Sequence, residues 1–276
     1  MKSQIFACLV FCWIISSGSL LGQSGLFEGG FVAGVGLYTG DLDPDEFGEY
    51  VENLRPSLGL FFRYHVTNRI NARVGFQYSK IVGDHAQRQD PRNLSFETDI
   101  YEGYLLGELD IFRFGYNEQR LNPYLLGGAS YFRFNPRAEF NGGQVDLQPL
   151  GTEGQTLPGG AGLYNLNQIA VLGGAGVRFA VSEELTIAGE FIFRYTFTDY
   201  LDDVSTVYAN PDDLSTMVGS VSAALADRST VPRTAGSLRG NPGQKDHFGT
   251  VNITVSYNFH NLSLGGGRNQ LGCPTF

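Results

Sequence analysis

Two stretches of the chain alternate apolar and polar residues with a period of two. From Leu185 to Phe197 the odd positions read Leu185, Ile187, Gly189, Phe191, Phe193, Tyr195 and Phe197, while Thr186, Glu190, Arg194 and Thr196 lie between them. Near the C-terminus Val251, Ile253, Val255, Tyr257 and Phe259 alternate with Thr250, Asn252, Thr254, Ser256 and Asn258. Successive side chains of a strand point to opposite faces, so this periodicity predicts strands with one apolar face. The same template predicts eight strands, near residues 30–39, 56–65, 69–80, 97–111, 122–134, 167–180, 184–198 and 247–259.

On the other strands the expected apolar faces are Phe31, Val35 and Leu37; Leu58, Leu60, Phe62 and Tyr64; and Ile70, Ala72, Val74, Phe76 and Tyr78. They continue with Tyr101, Leu105 and Leu109; Tyr124, Leu126 and Phe132; and Ile169, Val171, Val177 and Phe179. The opposite faces carry charges of both signs. The connections add a second regularity: "VTN", "RFGYNEQRL" and "VSEE" are short, and the connections between them are long, polar and rich in Gly and Pro. Strict alternation of short and long connections places every long loop at one end of an up-and-down barrel. The fold expected is therefore all-β, an eight-stranded antiparallel up-and-down transmembrane β-barrel with long outer loops and short periplasmic turns.

An eight-stranded barrel has an interior just wide enough for side chains, and a charge buried there needs a partner because desolvation is costly. Arg63, Arg73, Glu102, Glu108, Arg133, Arg178, Glu190 and Arg194 are accordingly expected to interdigitate as a lumen charge network. A soluble lipocalin-like barrel is the alternative, but mixed charges are a poor lining for an oily ligand. In "EFIFRYTFTDYLDDVSTVYANPDD" the alternation runs into a group of aspartates. Phe193, Tyr195 and Phe197 then read as an outward aromatic girdle, with water beginning at Thr198. Thr198, Asp199, Tyr200, Leu201, Asp202, Asp203 and Val204 form a loop-base motif. Asp202 and Asp203 are expected there to accept charge-assisted hydrogen bonds from backbone amides or arginine.

The first residues place Lys2 ahead of an apolar run from Ile5 to Ile15, followed by small and polar residues, the layout of a secretory signal peptide. The expected division is a signal peptide over 1–22, the barrel over 23–260 and a periplasmic tail over 261–276. Cleavage near Gly22 or Gln23 removes Cys8 and Cys12 and leaves Cys273 as the sole cysteine, a candidate for an intermolecular bridge. The chain has 276 residues, 37 Gly, 21 Phe and only 2 Met, in keeping with β architecture. Its net charge of −9 argues against a nucleic-acid partner.

Candidate chemistry is sparse. "GVGLYTG" (Gly34 to Gly40) lacks the third glycine and the following helix of a nucleotide-binding loop. Asp41, Asp43, Asp45 and Glu52 match four calcium-loop positions, but Glu46 stands where glycine is required and Pro44 intrudes. His65, His85, His247 and His260 are scattered, and no serine sits in a nucleophile elbow. No catalytic, cofactor-binding or metal-binding residue is assigned, no small-molecule substrate is expected, and the protein is expected not to be an enzyme. Lipid of an outer membrane is the expected surrounding.

Several segments together carry a family resemblance: "GVGLYTGDL", "NLSFETDIYEG", "NPYLLGGAS", "EGQ" at Glu153 to Gln155, and above all "RYTFTDYLDDVS" from Arg194 to Ser205. In these the chain resembles the Bacteroidetes outer-membrane barrels grouped as DUF6089, a family of uncharacterised function that includes the PorG component of the type IX secretion system. The resemblance implies a non-enzymatic barrel that anchors a periplasmic secretion ring, and Cys273 is the expected contact to that ring through a disulfide. A surface-exposed binding barrel using acidic outer loops is the first alternative, and a lipid-modifying barrel enzyme the second.

Overall fold

The computed structural model describes residues 27–42, 47–84 and 92–259. The segments expected to be the signal peptide and the periplasmic tail, with Cys273, lie outside the described residues, as do Asp43, Asp45, His85 and His260. Eight strands form the wall: β1 (Phe27–Thr39), β2 (Arg55–His65), β3 (Ile70–Asp84), β4 (Ser95–Asp110), β5 (Leu121–Phe140), β7 (Asn167–Ala180), β8 (Leu185–Thr196) and β9 (His247–Asn258). Each is antiparallel to its sequence neighbour in the wall, and β1 pairs with β9 from Glu28↔Asn258 to Thr39↔His247, which closes the sheet. Closure removes the unpaired edges that an open sheet of this length would expose.

The strand spans depart from the expected ones where the barrel grows beyond a simple wall. β3 and β4 extend past the barrel as a hairpin, and the end of β5 folds back on the short β6 (Gly143–Asp146), paired from Arg137↔Asp146 to Phe140↔Gly143. The last long loop contains two short helices, α1 (Pro211–Met217) and α2 (Ser220–Ala226). Asn210 caps α1, its side chain accepting from the Asp212 amide, and Pro211 follows it with φ already suited to a helix.

Side chains alternate along every strand, and the two faces differ in chemistry. Outward positions include Phe31, Leu60, Phe62, Leu105, Leu125, Ile169 and Ile253, all more than half exposed. Such a continuous apolar belt is tolerated only against lipid, so the barrel spans a membrane. The inward positions hold the charges together with Phe61, Tyr104, Leu106, Leu172 and Ile192. On β5 the expected faces are reversed. Tyr124, Leu126 and Phe132 point inward, and Leu125, Ala129, Tyr131 and Arg133 point outward. Both faces of this strand are largely apolar, so the alternation alone gave no preference. The neighbouring strands decide, because Glu108 pairs in register with Leu126 and both must face the lumen.

Candidate functional site

The lumen is crossed by a chain of ion pairs. At the short-turn end Arg63 lies 2.6 Å from Glu28 and 2.7 Å from Glu108. Glu108 also takes Arg73 at 3.2 Å and Arg178 at 2.8 Å. Arg73 continues to Glu190 at 2.9 Å, and the Tyr124 hydroxyl donates to the same carboxylate at 2.7 Å. Nearer the long loops Arg194 meets Glu102 at 3.0 Å and donates to Thr250 Oγ1 and Gln77 Oε1. The guanidiniums also lie against rings, Arg178 4.0 Å from the centroid of Tyr124 and Arg63 4.9 Å from that of Phe61. Every one of these groups is buried, so the network stands or falls on its geometry rather than on solvent.

Seven of the eight charges expected in the lumen are therefore in one connected interior. Arg133 is the exception: its side chain is exposed on the outside of β5, because Phe132 and Phe134 take the inward positions on either side of it. The structure adds two acids that the periodicity left unassigned. Glu28 is the first inward residue of β1, and Asp110 ends β4, where it accepts from Asn71 at 2.8 Å and Asn122 at 2.9 Å. Both precede or end the alternating stretches, where the pattern is too short to count.

At the long-loop end the barrel is covered by its own loops. The loop-base motif is not the start of water. Thr198, Asp199, Asp202 and Asp203 are buried, and Leu201 and Val204 pack with Leu42, Leu94, Phe96, Leu147 and Leu225 in an apolar cap over the lumen. The physical reason is that the other loops fold inward over this segment and supply its donors. Asp202 accepts from the Val204 amide at 2.8 Å and from the Tyr38 hydroxyl at 2.7 Å. Asp203 accepts from Thr152 at 2.5 Å and Tyr164 at 2.7 Å, with Arg239 Nη2 at 3.7 Å. Its backbone has φ 65°, the left-handed region that aspartate tolerates better than most residues. Asp199 takes the Ser205 hydroxyl, Tyr200 stacks on Tyr164 with centroids 4.4 Å apart, and the Thr198 carbonyl accepts from the Asp246 amide.

Glu153 binds the loops together. Its carboxylate accepts from the Ser205 amide at 2.8 Å, the Thr206 amide at 3.1 Å, the Thr206 hydroxyl at 2.7 Å and Arg239 at 3.2 Å. Arg239 in turn donates to the carbonyls of Asp203 and Ala226, and Arg92 donates to the carbonyls of Arg239 and Asp41. All four long loops are thus joined. Glu153 was visible in sequence only as part of the "EGQ" segment of the family resemblance, and Arg239 carried no signal at all.

Burial sets the electrostatics of this cap. It pushes the Asp203 carboxyl up to about 6 despite the opposing pull of Arg239. Burial also raises Asp246 to about 7, against the hydrogen bond from Tyr38 and helped by the nearby charge of Asp199. Asp202 is raised well above the ordinary carboxylate range by burial first and by the charge of Asp246 second. The Tyr38 hydroxyl lies 2.7 Å from Asp202 Oδ2 and 2.8 Å from Asp246 Oδ1, yet it has one hydrogen to donate. A proton on one of the two carboxyls completes the second contact. The carboxylates still exposed in this loop are Asp212 and Asp213, in the first turn of α1.

At the other end the short turns surround an open vestibule of about 460 Å³, lined among others by Glu28, His65, Asn71, Phe114, Tyr116 and Asn258. His65 lies 3.2 Å from Glu28 and 2.7 Å from Asn71 Oδ1. His247 is far from these, packed on the girdle against Tyr195 at 4.5 Å and Phe193 at 5.5 Å.

Solved structures of similar fold include three outer-membrane barrels. The Neisserial surface protein A is 11% identical, with a TM-score of 0.44, covering 84% of this chain and 97% of that one. Ail of Yersinia pestis in complex with sucrose octasulfate is 12% identical, with a TM-score of 0.39, covering 85% and 99%. OprG of Pseudomonas aeruginosa is 12% identical, with a TM-score of 0.38, covering 87% and 98%. No curated protein is significantly similar in sequence. The model of the family described as a domain of unknown function, DUF6089, matches residues 3–150, more than half of the chain, and the protein belongs to that family.

Proposed function

We propose that this protein is an outer-membrane barrel with a structural task, an anchor or accessory subunit of a protein secretion machine of the type IX, PorG-like kind. The observation that carries this reading is the filled interior. Ion pairs cross the lumen from Glu28 to Arg194, and the loops cap it with Leu201, Val204, Phe96 and Leu225. A lumen filled in this way leaves no route for a solute among the described residues, and its two ends remain as working surfaces. The long loops face outward, and the short turns, with the vestibule between Glu28 and Tyr116, face the periplasm, where a secretion ring stands. Cys273 forms a mixed disulfide with that ring in this reading, and the protein is not an enzyme.

A second reading is supported by one observation. The cap exposes Val231 and Leu238, each 71% accessible, which suits a surface-binding barrel that holds a partner on the long loops. Beside these apolar residues the same loop exposes Asp212 and Asp213, while Asp199, Asp202 and Asp203 are buried. A photo-cross-linking residue at Asn117 in a short turn, compared with one at Leu238, separates the two. Specific capture of a periplasmic protein from membranes at Asn117, and a reducible higher-mass band lost in Cys273→Ser, are expected. Capture at Leu238 alone, with identical migration of wild type and Cys273→Ser and unchanged secretion, overturns the anchor reading.

A further inference from the structure

Arg133 stands where β5 leaves the membrane. In register it faces Tyr101 of β4 on one side and Asn167 of β7 on the other. Two residues toward the short turns the outward position is Tyr131, opposite Ile169 and exposed in the apolar belt. Two residues toward the long loops it is Asn135 opposite Asp99, followed by Arg137 opposite Glu97. The adjacent strands make the same change, with Tyr78 and Tyr101 packed 5.2 Å apart just below Lys80 and Asp99. Aromatic residues giving way to charges mark the level of the lipid headgroups.

The neighbouring cations are already matched. Lys80 lies 2.5 Å from Glu97, and Arg137 lies 2.9 Å from Asp99 and 2.8 Å from Asp146. Asp99 also accepts from the Tyr78 hydroxyl at 2.6 Å, and Asn135 donates to Asp146. The two acids that line one cavity with Arg133, Asp99 and Asp146, are therefore held by other groups. The Arg133 side chain has no hydrogen bond or ion pair among the described residues. Its side chain borders a cavity of about 380 Å³ whose wall includes Tyr101, Pro149 and Leu166. A guanidinium with free donors, beside a polar cavity with an apolar wall, at headgroup level, is a site of definite chemistry.

We propose that Arg133 binds the phosphate of a membrane-lipid headgroup, with the cavity beside it on the long-loop side taking the headgroup and Tyr101, Tyr131 and Ile169 bordering the start of the acyl chains. The planar guanidinium fork matches phosphate oxygens two at a time, which an ammonium does not. An arginine on the lipid face is strongly unfavourable at the membrane midplane and tolerated at the interface, so its place on β5 suits this role. This inference is independent of the secretion reading, because it concerns the outer wall and neither end of the barrel.

The test is a titration of the purified full chain in neutral detergent, followed by native mass spectrometry. The probes are dimyristoylphosphatidylglycerol, its phosphate-free counterpart dimyristoylglycerol, and inorganic phosphate. Wild type is expected to hold the phospholipid in preference to dimyristoylglycerol. Arg133→Gln is expected to bind the phospholipid roughly tenfold more weakly, the scale of one lost charge-assisted hydrogen bond. Arg133→Lys should fall between them, and Arg120→Gln, a change in an exposed arginine near the short turns, should match wild type. Equal binding by wild type and Arg133→Gln overturns the proposal. So does a wild type that does not distinguish the two lipids, whatever the variants do. Displacement of the lipid by inorganic phosphate at equal concentration also overturns it, because the ligand is then the free anion.

Discussion

Arg73 and Glu190 join opposite walls of the barrel, Nη1 to Oε2 at 2.9 Å and Nη2 to Oε1 at 3.2 Å. Their strands, β3 and β8, are separated by three strands in either direction around the ring. A two-pronged pair of this kind fixes both distance and orientation across the lumen.

Breaking that pair from one side strands a buried charge. Arg73→Ala is expected to cost about 3–5 kcal/mol, because Glu190 and Glu108 keep their charges and lose a partner. The double variant Arg73→Met, Glu190→Met should cost less than the sum of the two single changes, since it removes both charges and leaves apolar volume. Urea unfolding followed by the heat-modifiable gel band measures this, and strictly additive costs would refute the coupling. In planar bilayers the wild type is expected to show no steady channel, and an ion-selective open state would contradict a filled lumen.

The cap should loosen as pH rises. Asp202, Asp203 and Asp246 have folded-state pKa values above their unfolded ones, so the folded cap binds more protons than the unfolded chain. Their contribution is fully present below the ordinary aspartate pKa. It is lost as pH rises through about 6 for Asp203 and about 7 for Asp246. Loss of the proton from Asp246 puts its charge beside Asp202 and the single Tyr38 hydroxyl, with Asp199 and Asp41 adding repulsion. Loop proteolysis is expected to be faster at pH 8 than at pH 5, and Asp246→Asn should flatten the difference. Equal rates at both pH values would show that no proton leaves these carboxyls between them, against the range given for Asp203 and Asp246.

Glu153 is a clamp on the cap and not part of the wall. Glu153→Ala removes acceptors from the Ser205 and Thr206 amides and leaves Arg239 without its closest carboxylate. The expected local cost is about 2–4 kcal/mol, from buried donors left unsatisfied. Limited proteolysis should then cut within residues 206–245, while the heat-modifiable barrel band persists. Loss of that band in step with loop cleavage would mean that cap and barrel fold as one unit.

Two glycines of the wall should respond in opposite ways. A Cβ on Gly128 collides with the Leu105 carbonyl and the Leu106 backbone of β4, whereas one on Gly103 meets nothing and faces lipid. Gly128→Ala is expected to abolish or greatly slow formation of the heat-modifiable band. Gly103→Ala should leave it unchanged or slightly stronger, since strand glycines carry an entropic cost of about 0.5–1 kcal/mol. Identical folding of the two variants would show that β4 and β5 can separate at no cost.

The alternation of side chains determined the existence of eight strands, and alternating connection lengths determined their up-and-down order, because both are local properties that a strand or loop carries alone. β5 shows where that stops. Tyr124, Leu126 and Phe132 alternate as well as Leu125, Ala129 and Tyr131 do, and only pairing with β4 and β7 decided which set met lipid. The same decision moved Arg133 from an expected lumen charge to the outer surface. Family motifs marked "EGQ" and "TDYLDDV" without saying that they touch. Glu153 and Thr206 meet at 2.7 Å across an intervening 52 residues, a contact created by barrel closure and loop folding. Opposite charges attract at whatever sequence separation the fold sets. Arg73 could be expected to need a carboxylate, but the choice of Glu190, 117 residues away, belonged to the tertiary structure.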